Sequence, residues 1–382
     1  MQKNEPREKN TISYSRKKFL PINKFVGRYK MASTKISKSN HNVLFSSLKS
    51  KGFARIRFVF AASNILSGKK QTFFVEFYFL NPAISPKRPV LFSEVQGSSG
   101  LLPSYCSVRC GTLGRGGKEL IKYCSNSQVI FDKKTGNLQI DCFSLTDEVI
   151  IGSVTTSEGS MDWNLQYEKQ IAKPPLFRSK KYSWNSDGIK TVVGGVLHFN
   201  GEEFQAVPNV SFGYSDFSFG QEQINPSFHI SASNLVSSIN GKQLAGSSFA
   251  VQKIAENKYV IFVKLEGKTF CIRSGKFLCK KAVTCYCTET TDEENTRQLH
   301  WAANIHLGKS VVDIDIYCHE SSMYFREFDQ ADGKSLLSEL CGGTGVGEVR
   351  YYRKDSRTKA LEIIEEARVQ DALCEFGSNK KL

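Results

Sequence analysis

Apolar and polar positions alternate with a period of two along Phe53-Ala54-Arg55-Ile56-Arg57-Phe58-Val59-Phe60. Ala54, Ile56, Phe58 and Phe60 fall on one face, Arg55 and Arg57 on the other. This predicts a strand. After the turn signal Ser67-Gly68-Lys69-Lys70, the run from Thr72 to Leu80 is apolar on both faces except at Glu76 and Tyr78, which share a side, so the two segments form a hairpin. For a tight turn near Ser67-Gly68, Arg57 and Glu76 project from the same face. They are then close enough to pair in a barrel lumen or at a layer interface, where the pair either orients a ligand or satisfies itself.

Further strand-and-turn units follow at 104–111, 128–131, 138–143 and 149–155, and none has a helical apolar period. In Ser160–Tyr167 the residues Met161, Trp163, Leu165 and Tyr167 alternate together, another strand. Pro174-Pro175 and Arg178-Ser179-Lys180-Lys181 break the pattern, which makes 170–185 the expected crossover between two sheets. From Thr191 onward short strands recur at the spacing of an antiparallel meander. The expected fold is all-β, with two antiparallel barrels at 51–185 and 186–377 behind a tail at 1–50.

Charge changes the picture at the N-terminus. The 382 residues carry a net +15, yet 15 Lys/Arg against 2 Asp/Glu lie in residues 1–57, leaving the remainder near neutral. Residues 1–50, rich in Ser, Asn and Lys, read as a disordered tail. Such a tail is either a solvated extension, with Met31 as an alternative start, or a contact for anionic lipid or nucleic acid. No specific nucleic-acid motif accompanies it. No run approaches the roughly 20 apolar residues that span a bilayer, and no signal-type stretch opens the chain, so a cytoplasmic protein is expected.

Eleven cysteines, scattered and odd in number, suit reduced thiols better than a disulfide framework. With no CxxC pair and no His cluster, no metal or other cofactor is expected. Gly342–Gly347 imitates a phosphate loop, but a strand pattern follows it rather than a helix, so a bend or bulge series is expected.

Candidate chemistry centres on Val210–Gly220, where Asp216 stands among Tyr214, Phe217 and Phe219 between Gly213 and Gly220. One reading is a Gly-bounded turn in which Asp216 caps backbone N–H groups. The other is a general acid in a poorly hydrated aromatic pocket that raises its pKa.

Phe73–Pro82, Pro103-Ser104-Tyr105, Gly159–Trp163, Trp184 with Gly188, Gly213-Tyr214-Ser215-Asp216 with Gly220, Gly342–Gly347 and Cys374–Gly377 together resemble the tocopherol cyclase-like proteins, over about residues 50–377. The resemblance implies lipocalin-like barrels with an apolar cavity, and a more distant relation to carotenoid hydratases of the hydroxyneurosporene type. Gly213, Tyr214, Asp216, Gly220 and Pro226 match the family motif. Phe217, Ser218 and Phe219 replace its basic, Asn and Trp positions, and Phe228-His229-Ile230 replaces its Trp-rich strand. The implied function is binding of a prenyl or lipid-like molecule, with Asp216 promoting cyclisation or hydration. Tyr214, Phe217, Phe219, Phe228, Arg57, Glu76, Tyr78, Trp163 and Trp184 are the expected ligand-facing residues. The competing expectation is a non-catalytic scaffold.

Overall fold

The computed structural model describes residues 44–95, 100–174, 181–225, 227–265, 267–274 and 283–377. The first sheet contains β1 (Phe53–Asn64), β2 (Lys70–Leu80), β3 (Tyr105–Leu113), β4 (Glu119–Cys124), β5 (Val129–Phe131) and β6 (Leu138–Ile140). It continues through β7 (Phe143–Leu145), β8 (Val149–Thr156), β9 (Gly159–Ile171), β10 (Tyr182–Phe199), β11 (Glu202–Ala206) and β12 (Phe212–Gly220). The second contains β13 (Phe228–Ala232), β14 (Leu235–Ser237), β15 (Ser248–Ala255), β16 (Lys258–Leu265), β17 (Lys268–Arg273) and β18 (Val283–Thr291). It ends with β19 (Arg297–Leu307), β20 (Ser310–His319), β21 (Tyr324–Asp329), β22 (Leu336–Lys354) and β23 (Leu361–Gly377). Every ladder is antiparallel, and each sheet curls around its own apolar core, as the expected all-β, double-barrel class requires. No helix among the described residues is long and apolar enough to cross a membrane.

The first hairpin follows its alternation residue for residue. Arg57 stands opposite Glu76 in the β1–β2 ladder, while Ile56, Phe58, Phe77 and Phe79 point into the first core. The other face of these strands, with Val59, Phe74 and Tyr78, packs in a third apolar cluster with Ala250, Phe262 and Phe328 of the second sheet. The charged face of the hairpin therefore looks toward the neighbouring sheet and not into a lumen.

Three expectations are corrected. The change of sheet falls between Gly220 and Phe228 rather than at 170–185, because β10 returns antiparallel to β9 and keeps β11 and β12 in the first sheet. Order begins before residue 50, since residues 44–47 are helical, Leu44 and Leu48 pack on the first core, and Phe45 stacks on Phe131 at 5.6 Å. The rest of the basic tail, residues 1–43, lies outside the described residues.

The third correction is that Phe212–Gly220, the part of this segment that holds Asp216, is no turn. It is β12, paired with β1 on one side and β10 on the other. Its glycines serve close approach of the backbones: a Cβ on Gly213 would sit 2.4 Å from Val59 O, and one on Gly220 2.1 Å from Lys181 O. The Gly342–Gly347 run is the expected bulge series, with register shifts between Leu340 and Gly343 and between Gly345 and Gly347, and Gly342 at φ +78°.

Candidate functional site

Four arginines and five carboxylates meet in the buried layer between the sheets. Arg55, Arg57, Glu76, Arg109, Glu119 and Asp216 come from the first sheet, and Arg326, Glu339 and Glu375 from the second. Period-two alternation aims each first-sheet group outward from its own core. Arg57 clasps Asp216 with two parallel bonds, Nε to Oδ1 at 3.1 Å and Nη2 to Oδ2 at 2.7 Å, and its Nη1 reaches Glu375 Oε2 at 2.5 Å. Arg55 joins Glu76, 2.6 Å from Nε, to Glu375, 3.1 Å from Nη2. Arg326 of β21 bonds Glu76 at 3.2 Å and Glu119 at 2.6 Å. Although Arg57 and Glu76 share a face, each pairs mainly with another partner.

Asp216 accepts two further bonds at Oδ2, from Trp184 Nε1 and Tyr214 Oη, both at 2.8 Å. Burial pushes its pKa up, but the Arg57 guanidinium more than offsets this and holds the carboxyl below its ordinary range. The expectation of a raised pKa is therefore corrected: desolvation is present, and a bidentate cation outweighs it. Glu76 and Glu375 are held low in the same way, burial being overcome by Arg55 and Arg326 for Glu76 and by Arg57 and Arg55 for Glu375. Glu339 goes the other way, raised by burial and by the like charge of Glu375. Ser227 Oγ donates to its Oε1 at 2.6 Å, and its Oε2 has no hydrogen-bond partner among the described residues.

His229 borders this layer from β13, with its ring centroid 5.3 Å from that of Tyr214. Gln252 donates through its amide nitrogen to Lys253 O at 3.0 Å, so Gln252 Oε1 accepts from His229 Nδ1–H at 2.8 Å. Nε2 then accepts from Ser231 Oγ at 3.0 Å. Burial and the nearby Arg57 push the imidazole pKa down to about 4, in keeping with a neutral ring.

The expected site residues separate into two groups. Asp216, Tyr214, Trp184, Arg57 and Glu76 are brought together at the sheet interface, and Tyr78 lies in the same layer, accepting from Gln223 Nε2 at 3.2 Å. Phe217 and Phe219 do not wall Asp216. They stack on each other at 5.2 Å on the opposite face of β12, against the first core. Trp163 is inside that core, stacked on Phe143, and Phe228 is inside the second, edge-on to Tyr259.

A cleft opens at one end of the interface. A cavity of about 260 Å³ is bounded by Ala61, Ala62, Val210, Phe212, Asn234 and Gln243, among others. It shares Ala61, Lys70, Val210, Phe212 and Asn234 with a cavity of about 30 Å³ that Tyr214 also lines. Asp216 is not among the lining residues of either. Tyr214, which lines the smaller cavity, donates its hydroxyl to Asp216.

Sequence reasoning missed Arg55, Arg109, Glu119, Arg326, Glu339, Glu375 and His229 as members of this layer. Arg55 shared the alternation of Arg57 and was legible. Glu375 lies 320 positions from Arg55, and nothing local signals that pairing.

No protein-family profile matches the chain, nor does any curated protein. Among solved structures, kievitone hydratase from Nectria haematococca is similar at 10% identity and a TM-score of 0.47, covering 87% of this chain and 92% of its own. A Nitrosomonas europaea protein assigned as an AttH is similar at 10% identity and a TM-score of 0.41, covering 84% and 92%.

Proposed function

We propose that this chain binds a hydrophobic small molecule, prenyl or lipid-like, in the cleft between its two sheets. The observation that carries the reading is the cavity of about 260 Å³ beside Phe212 and Val210, the latter 65% exposed. Its size approaches the lower end of typical ligand sites, about 300–1,000 Å³, and its walls set Ala61, Ala62, Val210 and Phe212 beside Lys70, Asn209, Asn234 and Gln243, which suits an apolar body with a polar end. The tocopherol cyclase-like resemblance points to the same ligand class.

Binding is supported better than proton donation by Asp216. A carboxyl held ionised by Arg57 has no proton to give near neutral pH, and Asp216 lines neither cavity. Acid-promoted cyclisation or hydration would need the carboxyl that tends to keep its proton, and in this layer that is Glu339.

Geraniol titrated into the full chain, followed by calorimetry or native mass spectrometry, tests the reading. Saturable one-to-one binding that Val210→Arg abolishes without lowering the melting temperature is the expected result. Undiminished binding in Val210→Arg, or binding of neither geraniol nor geranic acid by the wild type, would overturn it.

A further inference from the structure

Lys190 on β10 is fully buried, at 0% exposure. Its Nζ lies 3.5 Å from Leu244 O and 4.1 Å from the centre of the Phe212 ring, and among the described residues no carboxylate comes within ion-pairing distance. An ammonium carries three donors and a full charge, so one long carbonyl contact and a ring face leave it poorly compensated. The buried arginines of the interface, by contrast, each have carboxylate partners. Burial lowers the Lys190 pKa to about 8, with no acid opposing the shift.

These two contacts, Leu244 O and the Phe212 ring, put Nζ behind the cleft wall. Phe212 lines both cavities, and Leu244 follows Gln243, which lines the larger. Rotation of the Phe212 ring would join Lys190 to a space already walled by Ala61, Ala62 and Val210. An uncompensated cation behind a cleft whose walls mix Ala61, Ala62, Val210 and Phe212 with Asn209, Asn234, Gln243 and Lys70, the last paired with Asp371, calls for an anion carried on a partly apolar chain.

We propose that the ligand of this cleft is an amphipathic monocarboxylate, its carboxylate paired with Lys190 and its chain along Ala61, Ala62 and Val210. The inference rests on the cleft reading and adds the chemistry of the head group. A cation on a stem that carries no other charge discriminates acid from alcohol, because the alcohol leaves the ammonium as poorly compensated as before.

The test compares geranic acid with geraniol, which differ in head group alone, on the full chain and on Lys190→Met. The wild type is expected to bind the acid at least about tenfold more tightly than the alcohol at pH 7, and Lys190→Met to erase that preference while keeping the alcohol affinity. Independently of any variant, acid affinity in the wild type should fall by about tenfold per pH unit above 8, where the free amine has lost its proton and binding must restore it. Alcohol affinity should stay level. Equal affinity for acid and alcohol in the wild type, or a preference that survives Lys190→Met with a flat pH profile, overturns the carboxylate inference and leaves the cleft standing. Failure of both probes overturns the cleft itself.

Discussion

Arg57 holds Asp216 across adjacent strands by two hydrogen bonds, and the third nitrogen of the same guanidinium reaches Glu375 on the other sheet. Buried ion pairs of this kind add little net stability over apolar packing, but removing one partner strands the other charge away from water. Arg57→Met leaves Asp216 and Glu375 without their main cation. It should cost about 3–5 kcal/mol of unfolding free energy, read as a lower urea midpoint. A loss below about 1 kcal/mol would mean the carboxylates find water or other partners.

Acid should loosen the interface before it disturbs the cores. Asp216, Glu76 and Glu375 have depressed folded pKa values, so their stabilisation is present above the unfolded carboxylate range, about 4, and is lost as pH falls through the folded values. His229 acts in the same direction, because its folded pKa of about 4 lies below the unfolded value and the unfolded chain takes up that proton first as pH drops from about 6.5. Glu339 opposes them: its raised pKa favours the fold below the unfolded value, and that share is lost as pH rises through the folded one. Three depressed carboxyls and a histidine outweigh one raised carboxyl, so urea midpoints should fall steadily from pH 6.5 to pH 3. A level profile would contradict the charged network.

Gly213→Ala should destabilise the protein although alanine suits a strand better than glycine. The added Cβ would lie 2.4 Å from Val59 O and must push β12 away from β1, weakening the ladder that positions Asp216. A melting temperature lowered by several degrees is expected; an unchanged one would show that the strands separate freely.

The first hairpin was legible because one face is apolar from Ala54 to Ala62 in β1 and from Phe73 to Phe79 in β2, and Gly68, at φ +70°, turns the chain between them. Alternation alone fixed which side chains travel together, Arg57 with Glu76 and Ile56 with Phe58. It did not say what the charged face meets. That depends on the second sheet packing there, and on contacts as distant in sequence as Arg55 with Glu375. The segment at 212–220 misled because two glycines around an Asp are locally indistinguishable from a turn; only the neighbouring strands reveal that they are there to admit Val59 O and Lys181 O. β9 ends at Ile171, ahead of Pro174, yet β10 returns to pair with β9, which strand spacing cannot foresee.

Thiol labelling should follow burial. The ten cysteines among the described residues are free, with Cys142 exposed and Cys106, Cys110 and Cys374 buried with pKa values raised by burial. In native buffer a disulfide reagent should modify Cys142 ahead of these three, which should react only on unfolding. Early reaction of Cys106 or Cys110 would mean the first core opens.

The ionisation state of Asp216 tests the account most directly. In protein labelled with carbon-13 at the aspartate carboxyls, the Asp216 resonance, assigned by its absence in Asp216→Asn, should keep a carboxylate shift from pH 8 down to pH 5. Titration of that resonance between pH 5 and pH 8 would contradict the grip of Arg57 and restore Asp216 as a proton donor.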